Sequence, residues 1–334
     1  MKGGSINRAS LTLFFLENAI WLIVIAFYAV FAFLVPIGML DPGMVLYIIF
    51  SCFPVGFIVL GQAICLITGN FDLSIGEIAG LAATIGALVA CSRILPDPLT
   101  LFIPVIVGVL CGLVNGLLIT GLDLHPFLLT LGTGFAYDGL TLLIYPTVIF
   151  SGFPDIYLAV GGEFSWSFPI FFGILVTFAF ILTRFRMGVR FYAVGSDPVA
   201  ASMTGINSKR ITLLAYTLSG MFGGLSGLFY AGYQHSVSPG LTAADTVFTS
   251  FAAAVLGGVS IRGGRGNIIN VLGGILCLTM LDYGLTMLKI NPYARRVAYG
   301  LLVVIALVVD KVRASVRERY MRSLRKGYEK KEFE

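Results

Sequence analysis

The sequence predicts an all-α polytopic membrane protein, and three observations carry this prediction. Hydrophobic residues make up 57% of the 334 residues, and charged residues make up only 12%. The mean hydropathy is +0.94, and the apolar residues fall into about ten stretches that approach membrane-spanning length. A water-soluble domain carries about 25% charged residues and could not bury this much apolar surface. A soluble enzyme and a disordered or fibrous chain are therefore excluded.

The apolar stretches divide the chain into three parts. They run near 17–36, 44–69, 72–92, 99–120, 126–146, 167–184, 211–233, 245–260, 266–288 and 293–310. Because a membrane helix needs about 17–25 residues, the eighth stretch is expected to be short or re-entrant. Only Asn70 and Phe71 separate the second and third stretches, which predicts a broken helix. We expect an N-terminal segment (1–16), a transmembrane domain (17–310) and a basic tail (311–334).

Positive charge orients these segments. With a cytoplasmic N-terminus and ten crossings, 18 of the 22 Lys and Arg residues lie on the cytoplasmic side. The positive-inside rule therefore predicts that both termini are cytoplasmic. The same placement explains the net charge of +5 by contact with membrane lipid or a cytoplasmic partner, and no nucleic acid is required. Two longer loops remain, 147–166 outside and 185–210 inside.

Polar side chains within apolar stretches are costly in lipid and are therefore candidate functional residues. The richest cluster is Asn70, Asp72, Ser74 and Glu77 at the predicted helix break. Asp72 is placed to cap the third stretch, so a capping motif and a pore-lining role are both open. Both can hold, because broken helices in transporters often line the substrate path.

Further candidates lie in the fourth and fifth stretches. Asp138 lies deep in the fifth, where a functional role and an interhelical hydrogen bond are both possible. The other candidates in these stretches are Asn115, Thr130 and Thr133.

The sequence contains no motif for catalysis or for binding a metal or nucleotide. HExxH, GxSxG and the P-loop pattern are absent, and the cysteines show no zinc-binding spacing. We therefore expect no enzymatic activity, no metal and no cofactor in this chain. If ATP is used, another chain must bind it.

The inside loop 185–210 contains signals for a short helix. Asp197 followed by Pro198 is typical of a helix start, and Gly205 is typical of a stop. Between them lies a run of small residues that includes Ala200 and Ala201. A short, smooth helix on the cytoplasmic side suits docking into a groove on another protein. An interfacial helix on lipid is the alternative, although its apolar face is small.

Several motifs together resemble those of one transporter family. They are Asp72-Leu-Ser74, Asn115-Gly-Leu-Leu-Ile-Thr120, Pro126-Phe-Leu-Leu-Thr130-Leu-Gly-Thr133, Tyr192-Ala-Val-Gly195 and Ala253-Ala-Val-Leu-Gly257. Over about residues 44–312 the chain resembles the permease subunit of ABC importers of the ribose/xylose/arabinose/galactoside type. It departs from the family pattern at Asn70, where a second glycine is common, and at Glu77, where a small or hydroxyl residue is common.

The resemblance implies a function and its partners. The chain would be a permease for a sugar or sugar-like solute in a bacterial or archaeal cytoplasmic (inner) membrane. It would pair with a second permease copy or a sister permease. Its other partners would be an extracytoplasmic solute-binding protein and an ABC ATPase that holds ATP and Mg.

The resemblance also implies that residues 195–206 form the coupling helix that contacts the ATPase. The coupling residues would be Gly195, Asp197, Pro198, Ala200, Ala201 and Gly205. The polar candidates at the break and in the fourth and fifth stretches would line the path. The alternative is an ion-coupled secondary transporter of a small polar solute, in which Glu77 and Asp138 carry the ions.

Overall fold

The computed structural model describes residues 18–146, 152–238, 240 and 244–332. Within these ranges the regular structure is entirely helical. In chain order the helices are α1 (Ala19–Leu34), α2 (Pro36–Met39), α3 (Pro42–Ile67), α4 (Ile75–Ser92), α5 (Asp97–Thr100), α6 (Phe102–Leu122), α7 (Pro126–Ile144), α8 (Asp155–Gly162), α9 (Phe164–Arg184), α10 (Arg186–Ser196), α11 (Pro198–Met203), α12 (Ser208–Gln234), α13 (Ala244–Leu256), α14 (Ile268–Met287) and α15 (Pro292–Glu332).

Among the described residues, seven helical segments are long and apolar enough to cross a membrane. They are α3, the joined pair α5 and α6, and the single helices α4, α7, α9, α12 and α14. Helices α1 and α13 are apolar but shorter. An all-helical, multi-pass membrane protein is therefore confirmed. The count of ten crossings and the cytoplasmic position of both termini stay predictions.

Two predicted irregularities of the helices are confirmed. Helix α13 has 13 residues, which at 1.5 Å per residue makes it about 20 Å long, short of a bilayer core of about 30 Å. Helix α3 ends at Ile67 and α4 begins at Ile75, so the chain breaks where Asn70 and Phe71 predict it.

Some of the predicted domain and loop boundaries fall outside the described residues, and others fall within helices. The segment 1–16 and residues 147–151 of the outer loop lie outside the described residues. The predicted start of the tail at 311 falls within α15, which continues without interruption to Glu332. Most of the predicted inside loop 185–210 is helical, because α10 and α11 occupy it.

Helix α12 lies at the centre of the bundle, packed against α3, α4, α6 and α8. Its contact with α6 has no room for side chains. A Cβ at Gly112 would overlap the carbonyl oxygen of Tyr216, and a Cβ at Gly220 would overlap that of Gly108. Small residues on facing helices allow this backbone approach, which is how membrane helices gain packing energy. The glycine-rich face of α12 is therefore a packing surface.

Ion pairs join helix ends that the charge pattern places on the same side of the membrane. Lys209 Nζ lies 2.7 Å from Asp123 Oδ1 and connects the start of α12 to the end of α6. At the opposite ends, Arg295 Nη1 lies 3.6 Å from Asp282 Oδ1 and connects α15 to α14. Both contacts are compatible with the predicted alternation of the crossings.

Candidate functional site

The break between α3 and α4 is built around the carboxylate of Asp72. Gly69 has a φ of +75°, a left-handed conformation that turns the chain out of α3. Asp72 is fully buried, and its Oδ1 accepts hydrogen bonds from the Ser74 backbone N at 3.0 Å and from Ser74 Oγ at 2.6 Å. Ser74, rather than Asp72, occupies the N-cap position of α4. Asp72 therefore stabilises the turn that leads into the helix instead of capping the helix itself.

A chain of hydrogen bonds, the Asp72 network, links this turn to three other helices. Ser219 Oγ of α12 donates to Asp72 Oδ2 at 2.7 Å. Asn115 Nδ2 of α6 donates to Ser74 Oγ at 2.7 Å, and Tyr137 OH of α7 lies 3.0 Å from Asn115 Oδ1 as a donor. Each donation runs towards Asp72, which acts only as an acceptor. The network therefore holds the turn before α4 against α6, α7 and α12.

The irregular backbone of the break is also paired. Tyr216 OH of α12 donates to the Phe71 carbonyl at 2.8 Å. The Leu73 backbone N donates to Thr130 Oγ1 of α7 at 3.1 Å. Non-helical backbone is tolerated within a membrane only where protein or water satisfies it. Thr130, a candidate from the sequence, therefore holds the break in place.

The network lies below the ends of the helices that form it. Ser219 is the twelfth residue of α12, about 16 Å along the axis from the helix start at 1.5 Å per residue. Asn115 lies seven residues before the end of α6, which corresponds to about 10 Å. The break therefore enters the bundle instead of forming a surface loop.

Glu77 and Asp138 form a second polar region, the acidic pair. Glu77 lies on α4 and Asp138 on α7, and both are half-buried. A Cβ at Gly134, one turn before Asp138 on α7, would lie 3.8 Å from Glu77 Cγ, so Glu77 and Asp138 lie between the same two helices. In the described part of the chain neither carboxylate takes part in a hydrogen bond. Thr133 lies on the same helix as Asp138 and is half-buried, and its hydroxyl donates to the Thr130 carbonyl at 3.4 Å.

Asn70 lies apart from both regions. Its Nδ2 donates to the carbonyl and to the Oγ1 of Thr68, both at 3.1 Å. It also lines a cavity of about 230 Å³ that Thr120, Asp123 and Lys209 share. These neighbours lie at the end of α6 and the start of α12, the ends that the charge pattern places in the cytoplasm. Of the candidates at the break, Asn70 is the one that faces this cavity.

The structure adds Gln62, which the sequence analysis did not select. Gln62 is fully buried in α3, and neither atom of its amide has a hydrogen-bond partner among the described residues. A signal was available, because Gln62 is the sole side-chain amide within α3, and this helix contains no Asp, Glu, Lys, Arg or His. Buried amides in proteins are almost always paired, so an unpaired one within a transmembrane helix is a candidate functional group.

The predicted cytoplasmic helix is present as α11. Asp197 Oδ1 accepts from the backbone N atoms of Val199 and Ala200 at 2.9 and 3.0 Å, and Pro198 is the first helical residue. Gly205 follows with a φ of +83°. The prediction of a short helix with these start and stop signals is confirmed. Its outer surface carries Val199, 64% exposed, and Met203, 84% exposed, while Ala201 is buried against the bundle.

Gly195 joins α10 and α11 to the helix break. It lies near the end of α10, and a Cβ there would overlap the carbonyl oxygen of Ile67, the last residue of α3. The Gly264 backbone N donates to the same carbonyl at 2.8 Å. The turn before α11, the end of α3 and the loop before α14 therefore meet backbone to backbone, and a shift of one displaces the others.

The described residues contain no group of three or more His, Cys, Asp or Glu side chains placed to hold a metal ion.

The sequence matches one family model and is similar to several known permeases. A family model described as "Branched-chain amino acid transport system / permease component" matches residues 44–307. The galactose/methyl galactoside import permease MglC of Escherichia coli is 33% identical over 279 residues, which cover 77% of this chain and 82% of MglC. The ribose import permease RbsC of Bacillus subtilis is 31% identical over 269 residues, with coverages of 78% and 82%. The fructose import permease FrcC of Rhizobium meliloti is 31% identical over 270 residues, with coverages of 77% and 74%. No solved structure matches the chain.

Proposed function

Since the chain belongs to the branched-chain amino acid transport system / permease component family, as its motifs predict, we propose that it is the membrane subunit of an ABC importer. It forms the path by which a sugar or sugar-like solute enters the cell. An extracytoplasmic binding protein delivers the solute, and ATP hydrolysis in a partner subunit drives the cycle. The names of the relatives, which import galactose and methyl galactoside, ribose or fructose, support this substrate class.

The observation that carries the proposal is the connection between α11 and the broken helix. An external motor needs a docking element that is exposed, and it needs a rigid contact from that element to the path. Helix α11 provides the exposed surface, and Gly195 provides the contact with the end of α3. Displacement of α11 by a docked ATPase would move Ile67 and, through it, the turn that holds Asp72. ATP and Mg would be held by the ATPase, and this chain would hold no cofactor.

Within the membrane, the proposed path follows the polar groups that remain available. Asn70 faces a cavity at the cytoplasmic ends of α6 and α12. Glu77, Thr133 and Asp138 lie half-buried between α4 and α7. Weak polar contacts of this kind suffice, because the binding protein supplies selectivity. Asp72, Ser74, Asn115 and Thr130 act from behind the path by fixing the shape of the break.

One observation favours an ion-coupled secondary transporter as the alternative. Glu77 lies against α7, the helix that carries Asp138, and neither carboxylate has a hydrogen-bond partner among the described residues, which is the arrangement expected of a site that takes up a cation. Such a transporter would work without an ATPase.

Co-purification from the native membrane separates the two functions. The tagged full-length chain is solubilised in mild detergent, and its partners are identified by mass spectrometry. We expect to recover an ATPase subunit. With Ala200→Trp we expect its recovery to fall by at least about tenfold, because the indole would prevent α11 from entering a narrow groove on the ATPase. Ala294→Trp is the matched control, an exposed alanine at the opposite end of the bundle, and it leaves recovery unchanged.

Two results would contradict the proposal. Equal recovery of the ATPase with Ala200→Trp, together with normal uptake, would refute the docking role of α11. Recovery of the chain alone, with uptake intact in liposomes that lack ATP, would refute the ABC assignment and establish the secondary transporter.

A further inference from the structure

A cavity of about 350 Å³ lies at the junction of α10, α13, α14 and α15, outside the region of the helix break. It adjoins the loop between α13 and α14 and the first residues of α15 beyond its apolar part. Its charged lining consists of Arg265, Arg313, Arg317 and Asp310. Three guanidinium groups face one carboxylate, so the cavity has a net positive charge.

Arg313 is held in the cavity with half of its guanidinium group unpaired. Its Nη1 donates to the carbonyl oxygens of Val255 and Leu256 at 3.3 and 3.1 Å, at the C-terminal end of α13. Its Nη2 is buried and has no hydrogen-bond partner among the described residues. A buried charged donor without a partner is unfavourable. An anion in the cavity would satisfy it.

The loop that carries Arg265 is fixed before any ligand binds. The Ser260 backbone N donates to the Arg265 carbonyl at 3.1 Å, and the Gly263 N donates to the Ser260 carbonyl at 3.0 Å. Tyr192 OH of α10 donates to the Gly266 carbonyl at 2.8 Å and ties the loop to that helix. Ordering is therefore largely complete in the free protein, which favours affinity. The N-terminus of α14 begins at the same wall, and its dipole adds positive potential.

The arginines point to phosphate as the ligand. A guanidinium group presents parallel donors that match the oxygens of a phosphate. The cavity already contains one carboxylate, that of Asp310, so a carboxylate ligand would duplicate a group that is present. Asp310 is the one carboxylate among the residues that line the cavity, so it does not neutralise three arginines.

The position of the cavity points to a lipid as the source of the phosphate. On α15, Val304, Ile305, Val308 and Val312 are more than half exposed and form an apolar surface that reaches the level of Arg313. The cavity therefore opens where the apolar surface of the bundle gives way to basic residues, at the level of the headgroups. Basic pockets between transmembrane helices on the cytoplasmic side commonly bind anionic headgroups.

We propose that this cavity binds a phosphate group supplied by the headgroup of an acidic phospholipid in the cytoplasmic leaflet. The bound phosphate pairs with Arg313 Nη2 and with the side chains of Arg265 and Arg317. Because Tyr192 and the loop that carries Arg265 form the same wall, the lipid also braces the junction between α10 and the loop before α14.

Native mass spectrometry of the full-length chain, with whatever subunits co-purify, tests the site by titration with dioleoyl phosphatidylglycerol. We expect one tightly bound lipid, and we expect the double variant Arg265→Gln, Arg317→Gln to weaken its binding by about tenfold or more, since each basic side chain at a headgroup contributes appreciably. Asp310→Asn removes the opposing charge and should tighten binding severalfold. Arg319→Gln is the control, because Arg319 is exposed on the same helix outside the cavity, and it leaves the affinity within about twofold. Arg313 itself is left intact because it also holds the end of α13.

The outcomes are distinct. An unchanged affinity in the double variant, or an equal loss with Arg319→Gln, would overturn the site in favour of general surface attraction. Competition with millimolar inorganic phosphate and glycerol phosphate then identifies the source. If neither displaces the lipid from the wild-type chain, the headgroup is the ligand. If inorganic phosphate or glycerol phosphate displaces the lipid from the wild-type chain but not from the double variant, the phosphate site is retained and its ligand is a soluble phosphate.

Discussion

The Asp72 network and the acidic pair flank the start of α4. They differ in whether their carboxylates accept hydrogen bonds from the protein. Both regions place carboxylates within transmembrane segments. Asp72 is fully buried and receives three hydrogen bonds from Ser74 and Ser219. Glu77 and Asp138 are half-buried on two helices that pack together, and neither carboxylate accepts a hydrogen bond from the described residues. The first arrangement is complete without a ligand, and the second is not.

The difference separates a structural role from a functional one. The Asp72 carboxylate accepts three of the roughly four hydrogen bonds that its oxygens can take. It therefore holds the elements that donate them and has little acceptor capacity left for a solute or an ion. A half-exposed carboxylate beside another one gains from any cation or polar solute that approaches. Polar residues selected in the same way from the sequence therefore have opposite effects on stability.

The largest effect is expected when the Asp72 network is broken. Asp72→Ala leaves the hydroxyl groups of Ser74 and Ser219 without their acceptor and removes the charge that orders the chain from Asn115 to Tyr137. Hydrogen bonds to charged groups contribute about 1.5–3 kcal/mol each in proteins, and less within membrane bundles. We expect the free energy of unfolding to fall by about 3 kcal/mol, measured by denaturant titration in mixed micelles.

Asp138→Ala is the matched control for this prediction. It removes the same side chain from a transmembrane helix, but no described hydrogen bond is lost. Its effect should be close to zero or slightly stabilising. An equal loss of stability in the two variants would show that the hydrogen bonds to Asp72 are not what holds the break.

The sequence predicted the polar candidates better than it predicted their roles. Polar residues are rare in apolar stretches, which is why the sequence marks Asp72, Ser74, Asn115 and Thr130. The Asp197-Pro198 pair marks the start of α11. Both signals can be read from neighbouring residues alone. Ser219 lies 147 positions from Asp72. No local pattern distinguishes it from other serines in small-residue helices, so a closed network could not be told from an open path.

A smaller effect of opposite sign is expected at Gln62. Gln62→Met keeps the volume and removes two polar atoms that lack partners in the described structure. Removing a buried, unpaired amide should raise the free energy of unfolding by about 1–2 kcal/mol. We also expect uptake to fall, because an amide that is unpaired in this state is free to bind solute or a new partner in another state of the transport cycle.

Tyr157→Phe provides the comparison for Gln62. The Tyr157 hydroxyl is also buried and has no partner within the described ranges, but it lies on α8, away from the break. Its removal should stabilise the protein without reducing uptake. If Gln62→Met behaves in the same way, with more stability and normal uptake, Gln62 has no role in transport.

The smallest effect on stability is expected at the acidic pair. Glu77→Gln and Asp138→Asn each remove the same repulsion, so each should stabilise by about 0.5 kcal/mol, within the range for neighbouring like charges. The double variant should gain little more than either single one, since the repulsion can be removed only once. Asp123→Asn, which breaks the ion pair with Lys209, should shift stability slightly the other way. If the stability gains at Glu77 and Asp138 are additive, the two carboxylates do not interact. If the double variant still takes up solute, the solute path lies elsewhere in the bundle.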